Sequence, residues 1–249
     1  MAFGAIVIGD EILSGKRQDK HFPRVVASLR ERGLELAWCT YVGDDRVRLT
    51  QLLERSLGSG DIVFSFGGIG VTPDDHTRQA AAAALGVGLE LHPEARREIE
   101  ERFGADVTPE RLMLGEFPQG ARIVPNPFNR IPGFAVGDHY FLPGFPEMAW
   151  PMMDWALDMH YRHLHHAERR AERALLVYFN SESRLLDLMQ RIEQEYDRIR
   201  VFSLPSSTGT SPRPHIELGV RGEPLQVAAA IVDMRDELTR RGIEWEAKS

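Results

Sequence analysis

The sequence predicts an α/β domain with a mostly parallel sheet, followed by a small α+β domain. Short apolar runs alternate with amphipathic segments over residues 3–85, which is typical of βαβ units. From residue 174 the order becomes βαββα with a last short strand, which favours helices packed on one sheet face. The segment 160–173 is polar and basic, so we place the boundary there and predict domains at 1–165 and 166–249.

Three strands, each followed by a helix, are predicted at the start of the chain. The strands are apolar and rich in β-branched residues, and they cover 3–8, 34–42 and 61–66. Asp19 is the predicted cap of the first helix, and Asp44 and Asp45 open the second. Thr72 or Asp74 is expected to cap the third helix, which runs through an alanine-rich segment.

Less regular elements complete the prediction. In the first domain they are a helix at 94–103, an irregular segment with short strands at 122–134, a strand at 139–142 and a helix reaching about residue 165. In the second domain strands are predicted at 174–179, 198–205, 215–222 and 243–245, and helices at 182–196 and 224–242.

Composition excludes several classes of protein. The net charge of −7 does not favour binding to nucleic acid or to an anionic membrane. No apolar run approaches about 20 residues, and the N-terminal segment lacks the pattern of a signal peptide. Cys39 is the only cysteine, so no internal disulfide can form. We therefore expect a cytoplasmic protein with no membrane or nucleic-acid partner.

Glycine lies next to acidic residues after each of the three predicted parallel strands. The loops are 9–15, 43–45 and 67–75, and their acid pairs are Asp10–Glu11, Asp44–Asp45 and Asp74–Asp75. Ligands of such sheets bind beyond the carboxyl ends of the strands. Each pair alone is explained by a helix cap or a solvated loop, but three pairs at one sheet edge indicate a binding site.

The loop that contains Gly67, Gly68 and Gly70 joins a predicted strand to a predicted helix, the context in which backbone amides bind phosphate. It matches neither GxGxxG nor GxxxxGK[ST] and has no lysine, so a Walker-type NTPase is rejected. The alternative is a tight turn with no ligand. One of Asp74 and Asp75 can cap the helix while the other holds a hydrated divalent cation, for which Mg²⁺ is the first choice.

Histidines offer two further possibilities. His160 and His163 have helical i, i+3 spacing in a cluster with His165 and His166, but a solvated helix end is favoured over a metal pair because no carboxylate or cysteine complements them. His21 and His76 flank the predicted site, where a neutral imidazole can move a proton near pH 7.

Seven separated motifs resemble the MoaB/Mog-like molybdopterin-binding domain, and they are most similar to the stand-alone form related to the N-terminal part of competence/damage-inducible protein A. They cover roughly residues 3–160 and are GDEILSG, Asp19-Lys20-His21, GDD, GGIGVTPDDHT, PNP at 125–127, PGF at 132–134 and LPGFPEM at 142–148. The C-terminal part, with Glu182-Ser183 opening its first helix, resembles the small second domain of that family more weakly.

The resemblance implies a three-layer αβα fold with the site at the glycine loop. The acids that carry over by motif are Asp10, Glu11, Asp44, Asp45, Asp74 and Asp75. Together with His76, which flanks the site, Asp44, Asp45, Asp74 and Asp75 are the expected catalytic residues, and Asp45, Asp74 and Asp75 are the expected metal ligands. The expected ligand-binding residues are Gly9, Asp10, Glu11, Ser14, Gly67, Gly68, Gly70, Thr72, Asn126, Pro143 and Gly144. The chain departs from the family pattern at His21, Val71 and the Asn129-Arg130-Ile131 step, where an arginine is free to contact a phosphate or to close the pocket.

Three functions remain open. The first is a metal-dependent pyrophosphohydrolase of ADP-ribose-like nucleotide diphosphates. The second is a protein of molybdenum-cofactor metabolism that takes molybdopterin, or another pterin phosphate, as its ligand. The third is a non-catalytic nucleotide-binding scaffold. A homo-oligomer, either a dimer or a trimer, is expected.

Overall fold

A computed structural model describes residues 1–167, 171–178, 182–206 and 213–248. Contacts within the chain separate it into two compact units, residues 1–165 and 166–249. None of the helices in these described ranges is long and apolar enough to span a membrane.

The first unit contains a six-stranded, mostly parallel sheet. The strands of the whole unit are β1 (Phe3–Ile8), β2 (Leu36–Val42), β3 (Ile62–Phe66), β4 (Leu89–Leu91), β5 (Glu116–Pro118), β6 (Arg122–Val124), β7 (Gly133–Val136) and β8 (His139–Leu142). The sheet order is β2-β1-β3-β8-β7-β6, while β4 and β5 form a separate antiparallel pair. The pairs β1–β2, β1–β3 and β3–β8 are parallel, and β7 is antiparallel to both of its neighbours.

Helices cover both faces of this sheet. They are α1 (Asp10–Leu13), α2 (His21–Glu31), α3 (Arg46–Leu57), α4 (Thr77–Leu85), α5 (Pro93–Phe103), α6 (Pro109–Leu112) and α7 (Pro146–His160). Strand side chains alternate between the faces. Phe64 lies in a core with residues of α2 and α7, and Val63 in a second core with residues of α3, α4 and α5. The predicted three-layer α/β fold is confirmed.

Two helix boundaries in the first unit differ from the prediction. Helix α4 begins at Thr77, because Thr72 and Asp75 form a turn of their own: the Asp75 amide donates to the Thr72 carbonyl over 3.0 Å. Helix α7 ends at His160 and only one 3₁₀ turn follows. Tyr161 leaves the helix conformation there, and its hydroxyl donates to Asp138.

In its described residues, the second unit contains a four-stranded antiparallel sheet and two α-helices. The strands are β9 (Ala171–Val177), β10 (Ile199–Pro205), β11 (Ile216–Gly222) and β12 (Trp245–Ala247), and the helices are α8 (Leu186–Glu195) and α9 (Pro224–Arg240). The sheet order is β10-β11-β9-β12. Both helices pack into one core with alternate residues of the sheet, including Leu175, Val177 and Leu218. The predicted α+β arrangement is confirmed.

Local boundaries in the second unit also shift. The predicted helix at 182–196 opens as a 3₁₀ turn over Glu182–Arg184 before α8 begins. The last strand starts at Trp245, two residues later than predicted. Phe179, the predicted end of the first strand of this unit, lies outside the described residues.

Candidate functional site

Four loops meet at the carboxyl edge of the parallel strands. They follow β1, β2, β3 and β8, which run in the same direction and are neighbours in the sheet. Backbone bonds join them in pairs: the Gly9 amide donates to the Val42 carbonyl over 3.0 Å, and the Gly67 amide donates to the Leu142 carbonyl over 2.9 Å. The glycine loop and the acidic loops therefore share one edge of the sheet.

The backbone amides of Asp10 and Asp44 each donate to the side-chain carboxylate of the other residue. The Asp10 amide donates to Oδ2 of Asp44 over 2.8 Å, and the Asp44 amide donates to Oδ1 of Asp10 over 3.2 Å. We call this reciprocal pair the acidic clasp. A Cβ at Gly43 would lie 2.2 Å from Oδ1 of Asp10, so the clasp requires glycine at that position.

Asp44 lies close enough to carboxylates of two other loops for their charges to act on it. Burial is the main reason that the pKa of Asp44 is raised, and the negative charges of Asp10, Glu11 and Asp74 raise it further. Like charges at this spacing repel one another, so the clustered acids are an electrostatically unfavourable feature of this sheet edge.

The remaining predicted acids have partners of their own. Oδ1 of Asp45 accepts the Arg48 amide over 2.8 Å and caps α3, as predicted from the sequence. Oδ2 of Asp75 accepts the Thr72 amide over 2.8 Å. The Thr72 hydroxyl is the main reason that the pKa of Asp74 is lowered, so Asp74 is ionised at neutral pH. Neither Asp74 nor Asp75 caps α4, contrary to the expectation.

The glycine loop turns its carbonyl groups toward the start of α4. The Gly67 carbonyl accepts the Thr77 hydroxyl over 2.9 Å, and the Gly68 carbonyl accepts the Thr77 amide over 3.0 Å. The Gly70 carbonyl accepts Nη2 of Arg78 over 2.7 Å. In a trans peptide the next N–H points opposite to the carbonyl. The amides of residues 68, 69 and 71 therefore point away from α4, as an anion-binding loop requires.

Close packing explains the first glycine of this loop. Gly67 has φ +107°, and a Cβ at this position would lie 2.5 Å from the Ile8 carbonyl oxygen. The loop thus lies directly against the end of β1, where the acidic residues begin.

His21 lies between the loops that follow β1 and β8. It is buried, its ring stacks on Phe66 with centroids 4.5 Å apart, and its Nε2 is 3.1 Å from the Gly144 carbonyl oxygen. A carbonyl oxygen only accepts, so we assign the proton to Nε2. Burial is the main cause that lowers the pKa of His21, which keeps the ring neutral at pH 7. Its Nδ1 has no hydrogen-bond partner in the described part of the chain.

Asn126 and Arg130 have structural partners. The buried Asn126 donates from Nδ2 to the Ile131 carbonyl over 2.9 Å, and its Oδ1 accepts the Phe128 amide, so it holds the turn between β6 and β7. Arg130 pairs with Glu98 over 2.9 Å and with Glu101, instead of remaining free to contact a phosphate as the sequence suggested.

The other predicted ligand residues lie at the same edge. Gly9 precedes α1 and Ser14 follows it, and the Ser14 side chain is exposed. Pro143 and Gly144 follow β8, and the ideal Cβ position of Gly144 is 3.5 Å from the Gly67 Cα. His76 directly precedes α4, and its charge helps to lower the pKa of Asp74.

A complete protein-built metal site is absent from the described residues. No group of three or more His, Cys, Asp or Glu side chains in those ranges is arranged to hold a metal ion, and this includes the described histidines near residue 160. Any cation at the acidic clasp would complete its coordination with oxygen atoms from a ligand or from water.

Arg78 is the site residue that sequence reasoning missed. It is 1% exposed and reaches the glycine loop from the first turn of α4. The search for a cation within the loop found no lysine, but an arginine eight positions after Gly70 in the same motif is the signal that could have found it.

Comparisons with known proteins cover mainly the first unit. Residues 4–163 match the family described as "Probable molybdopterin binding domain". A CinA-like protein of Anaeromyxobacter sp. (strain Fw109-5) is 42% identical over 131 residues, covering 51% of this chain and 32% of the relative. A CinA-like protein of Chlorobium luteolum is 31% identical over 221 residues, covering 84% of this chain and 49% of the relative. The chain thus spans about half, or less, of the length of these curated relatives.

A solved structure extends the comparison. The protein CinA from Thermoplasma acidophilum, described as having unknown function, has a TM-score of 0.57 and 29% sequence identity, and the match covers 63% of this chain and 96% of that chain. The motif resemblance is confirmed by both the family match and these relatives. This chain belongs to the probable molybdopterin-binding domain family, and the relatives to which it is similar are CinA-like proteins.

Proposed function

We propose that the first unit hydrolyses the diphosphate bond of ADP-ribose-like nucleotides with the help of a divalent cation. One observation carries this proposal: the outward amides of the glycine loop lie at the same sheet edge as the carboxylates around Asp44. Amides suit the anionic oxygens of a diphosphate, and carboxylates suit the cation that accompanies it. A tight turn without a ligand explains the glycines but not the clustering of acids from three loops around Asp44.

The carboxylates fit a Mg²⁺ ion that is shared with a substrate. Mg²⁺ is commonly held by one or two carboxylates together with substrate phosphates and water, so it does not need a cage of three protein ligands. Asp44 and Asp74 would hold it, since both belong to the charge cluster and come from different loops. When bound, such an ion neutralises the charge that develops on the diphosphate and acidifies water.

Residues of the chain supply the remaining functions. The glycine-loop amides hold and orient the diphosphate, which positions it for attack by water. A water oxygen forms a bond to one phosphorus atom while the bridging P–O bond breaks, giving AMP and ribose 5-phosphate. His76, which lies close enough to Asp74 for its charge to act on that carboxylate, would take the proton that the water loses.

The test is the release of AMP from ADP-ribose with Mg²⁺, Mn²⁺ or Co²⁺, and with EDTA. We expect metal-dependent release by the wild-type protein and a loss of at least about a hundredfold in Asp44→Asn, which keeps the side-chain oxygen that accepts the Asp10 amide. Asp106→Asn, which changes an exposed acid outside the four loops, is the matched control and should keep full activity. Absence of AMP with every metal would refute the hydrolase proposal.

A second candidate function is binding of a pterin phosphate without hydrolysis. The description of the matched family favours it. In that case a pterin monophosphate, titrated into the protein while the intrinsic fluorescence is followed, should bind with a micromolar or lower Kd. ADP-ribose should remain intact. A protein that cleaves ADP-ribose and ignores the pterin would exclude this candidate.

A further inference from the structure

Arg78 is a buried cation directly beneath the glycine loop. Its side chain starts at the second residue of α4, and only 1% of the residue is exposed. Nη2 donates to the Gly70 carbonyl over 2.7 Å, while Nη1 donates to the Glu116 carbonyl over 3.2 Å and to the Met113 carbonyl. All of these partners are neutral backbone groups.

The charge of Arg78 is not neutralised by direct contact. Among the described residues it forms no ion pair within 4.0 Å, and its buried Nε has no hydrogen-bond partner. The carboxylates of Glu116 and Asp75 act on it only through space. Removing a guanidinium from water is costly, and buried arginines are usually paired with a carboxylate or a bound anion. A structural link between carbonyl groups does not by itself require a charged side chain.

We propose that Arg78 is the fixed cation of the phosphate site, acting as a positioning residue without touching the ligand. Its guanidinium holds the Gly70 carbonyl inward, which turns the next amide outward toward the anion. Its charge, which forms no direct ion pair among the described residues, also opposes the repulsion that the surrounding carboxylates exert on a diphosphate. This inference rests on the proposed diphosphate-binding function, and it identifies what allows an acidic sheet edge to accept an anion.

The simpler alternative is that Arg78 only fastens the glycine loop to the segment 113–116. Both roles predict a loss of stability when the side chain is removed, because three carbonyl groups lose their donors. The two roles predict different effects on ligand binding when the side chain is removed. If Arg78 only fastens the loop, the mutation weakens binding of charged and neutral ligands alike. If Arg78 acts as a cation, the mutation selectively weakens binding of phosphates.

The experiment compares Arg78→Met, which removes the charge, with Arg78→Lys, which keeps it. Inorganic pyrophosphate with Mg²⁺ is titrated calorimetrically into each folded variant, and adenosine is titrated in parallel as a neutral probe. Arg78→Met should weaken pyrophosphate binding by about tenfold or more, while Arg78→Lys should stay within about threefold of wild type. Adenosine binding should not change.

A matched control separates stability from charge. Arg32, directly after α2, is also largely buried, but it pairs with Asp154 and Asp158 of α7, away from the glycine loop. Arg32→Met should lower stability without changing the affinity for pyrophosphate. If Arg78→Met binds pyrophosphate as tightly as wild type, or if Arg78→Lys is as impaired as Arg78→Met, the cation role is wrong.

The outcomes also distinguish this inference from the proposed reaction. Pyrophosphate binding that is lost in Arg78→Met, in a protein that does not cleave ADP-ribose, refutes the hydrolase and supports the role of Arg78. If the protein cleaves ADP-ribose and Arg78→Met has no effect on pyrophosphate binding, the hydrolase proposal is supported and the role of Arg78 is refuted. Failure of the wild-type protein to bind pyrophosphate overturns the role of Arg78 as well, because no phosphate site is then present.

Discussion

Replacing Gly67 by alanine tests whether the glycine loop is fixed by its contact with the end of β1. A non-glycine residue at positive φ costs about 1–2 kcal/mol. At Gly67 the new methyl would also lie 2.5 Å from the Ile8 carbonyl oxygen, a backbone atom that cannot move aside as a flexible side chain would. Overpacking of this kind adds about 1–3 kcal/mol. We therefore expect a loss of about 2–5 kcal/mol in the free energy of unfolding.

The matched control is Gly120→Ala. Gly120 has φ +80° and no atom within 4 Å of its ideal Cβ position, so only the conformational cost of about 1–2 kcal/mol applies. Urea unfolding is followed by tryptophan fluorescence in a Trp245→Phe background, which confines the signal to Trp38, Trp150 and Trp155 in the first unit. The m-value should stay constant while the midpoint falls.

Equal losses at the two glycines would refute the reasoning. They would mean that the loop can move away from Ile8 at no cost, so that the amides are not held in the orientation on which the phosphate site depends. A larger loss at Gly67, together with weaker binding of pyrophosphate, is the expected result.

Three further predictions concern single side chains. The pKa of Asp44 is raised in the folded protein, so the folded state holds that proton more tightly than the unfolded state does. The free energy of unfolding should therefore fall as pH rises through the folded pKa. Asp44→Asn should remove this slope and raise the free energy of unfolding at pH 7 by less than about 1 kcal/mol, as measured by urea unfolding. Burial lowers the pKa of His139 to about 4, so the unfolded state alone takes up a proton below about pH 6.5. Stability should fall by about 2 kcal/mol from pH 7 to pH 5 and more weakly in His139→Phe; an equal slope in both proteins would contradict this. The N-cap position of α2 is Lys20, one residue after the predicted Asp19, but the Asp19 carboxylate accepts the His21 and Phe22 amides. Asp19→Ala should therefore lower the free energy of unfolding by about 1–2 kcal/mol, and an unchanged urea midpoint would show that water replaces this carboxylate.

The sequence was sufficient to predict the features that depend on local pattern. The apolar runs of β1 and β3 and the cap at Asp45 follow from the type and spacing of nearby residues. The proximity of the acidic loop after β1 to the one after β2 also followed, because neighbouring parallel strands bring the loops after their carboxyl ends together.

Features decided by tertiary contacts were not accessible in this way. An arginine in the first turn of a helix is usually solvated, but Arg78 is buried, and its guanidinium donates to carbonyls of the segment 113–116, which is more than 30 positions away in the sequence. Arg130 looked free for a phosphate because its partner Glu98 lies 32 positions away on α5. The start of α4 was missed because a four-residue turn at Thr72 competes with the helix for the same donors.

The reciprocal bonds between Asp10 and Asp44 have a consequence for how a ligand enters. Each aspartate is fixed by the amide of the other, so neither loop can shift without breaking both bonds. The ends of β1 and β2 thus form a preorganised wall that loses little entropy when a ligand arrives. The loops after β3 and β8 are not part of the clasp, so we expect mutations in those loops to change the rate of ligand release more than mutations of neighbours of Asp10 and Asp44 that leave the clasp intact.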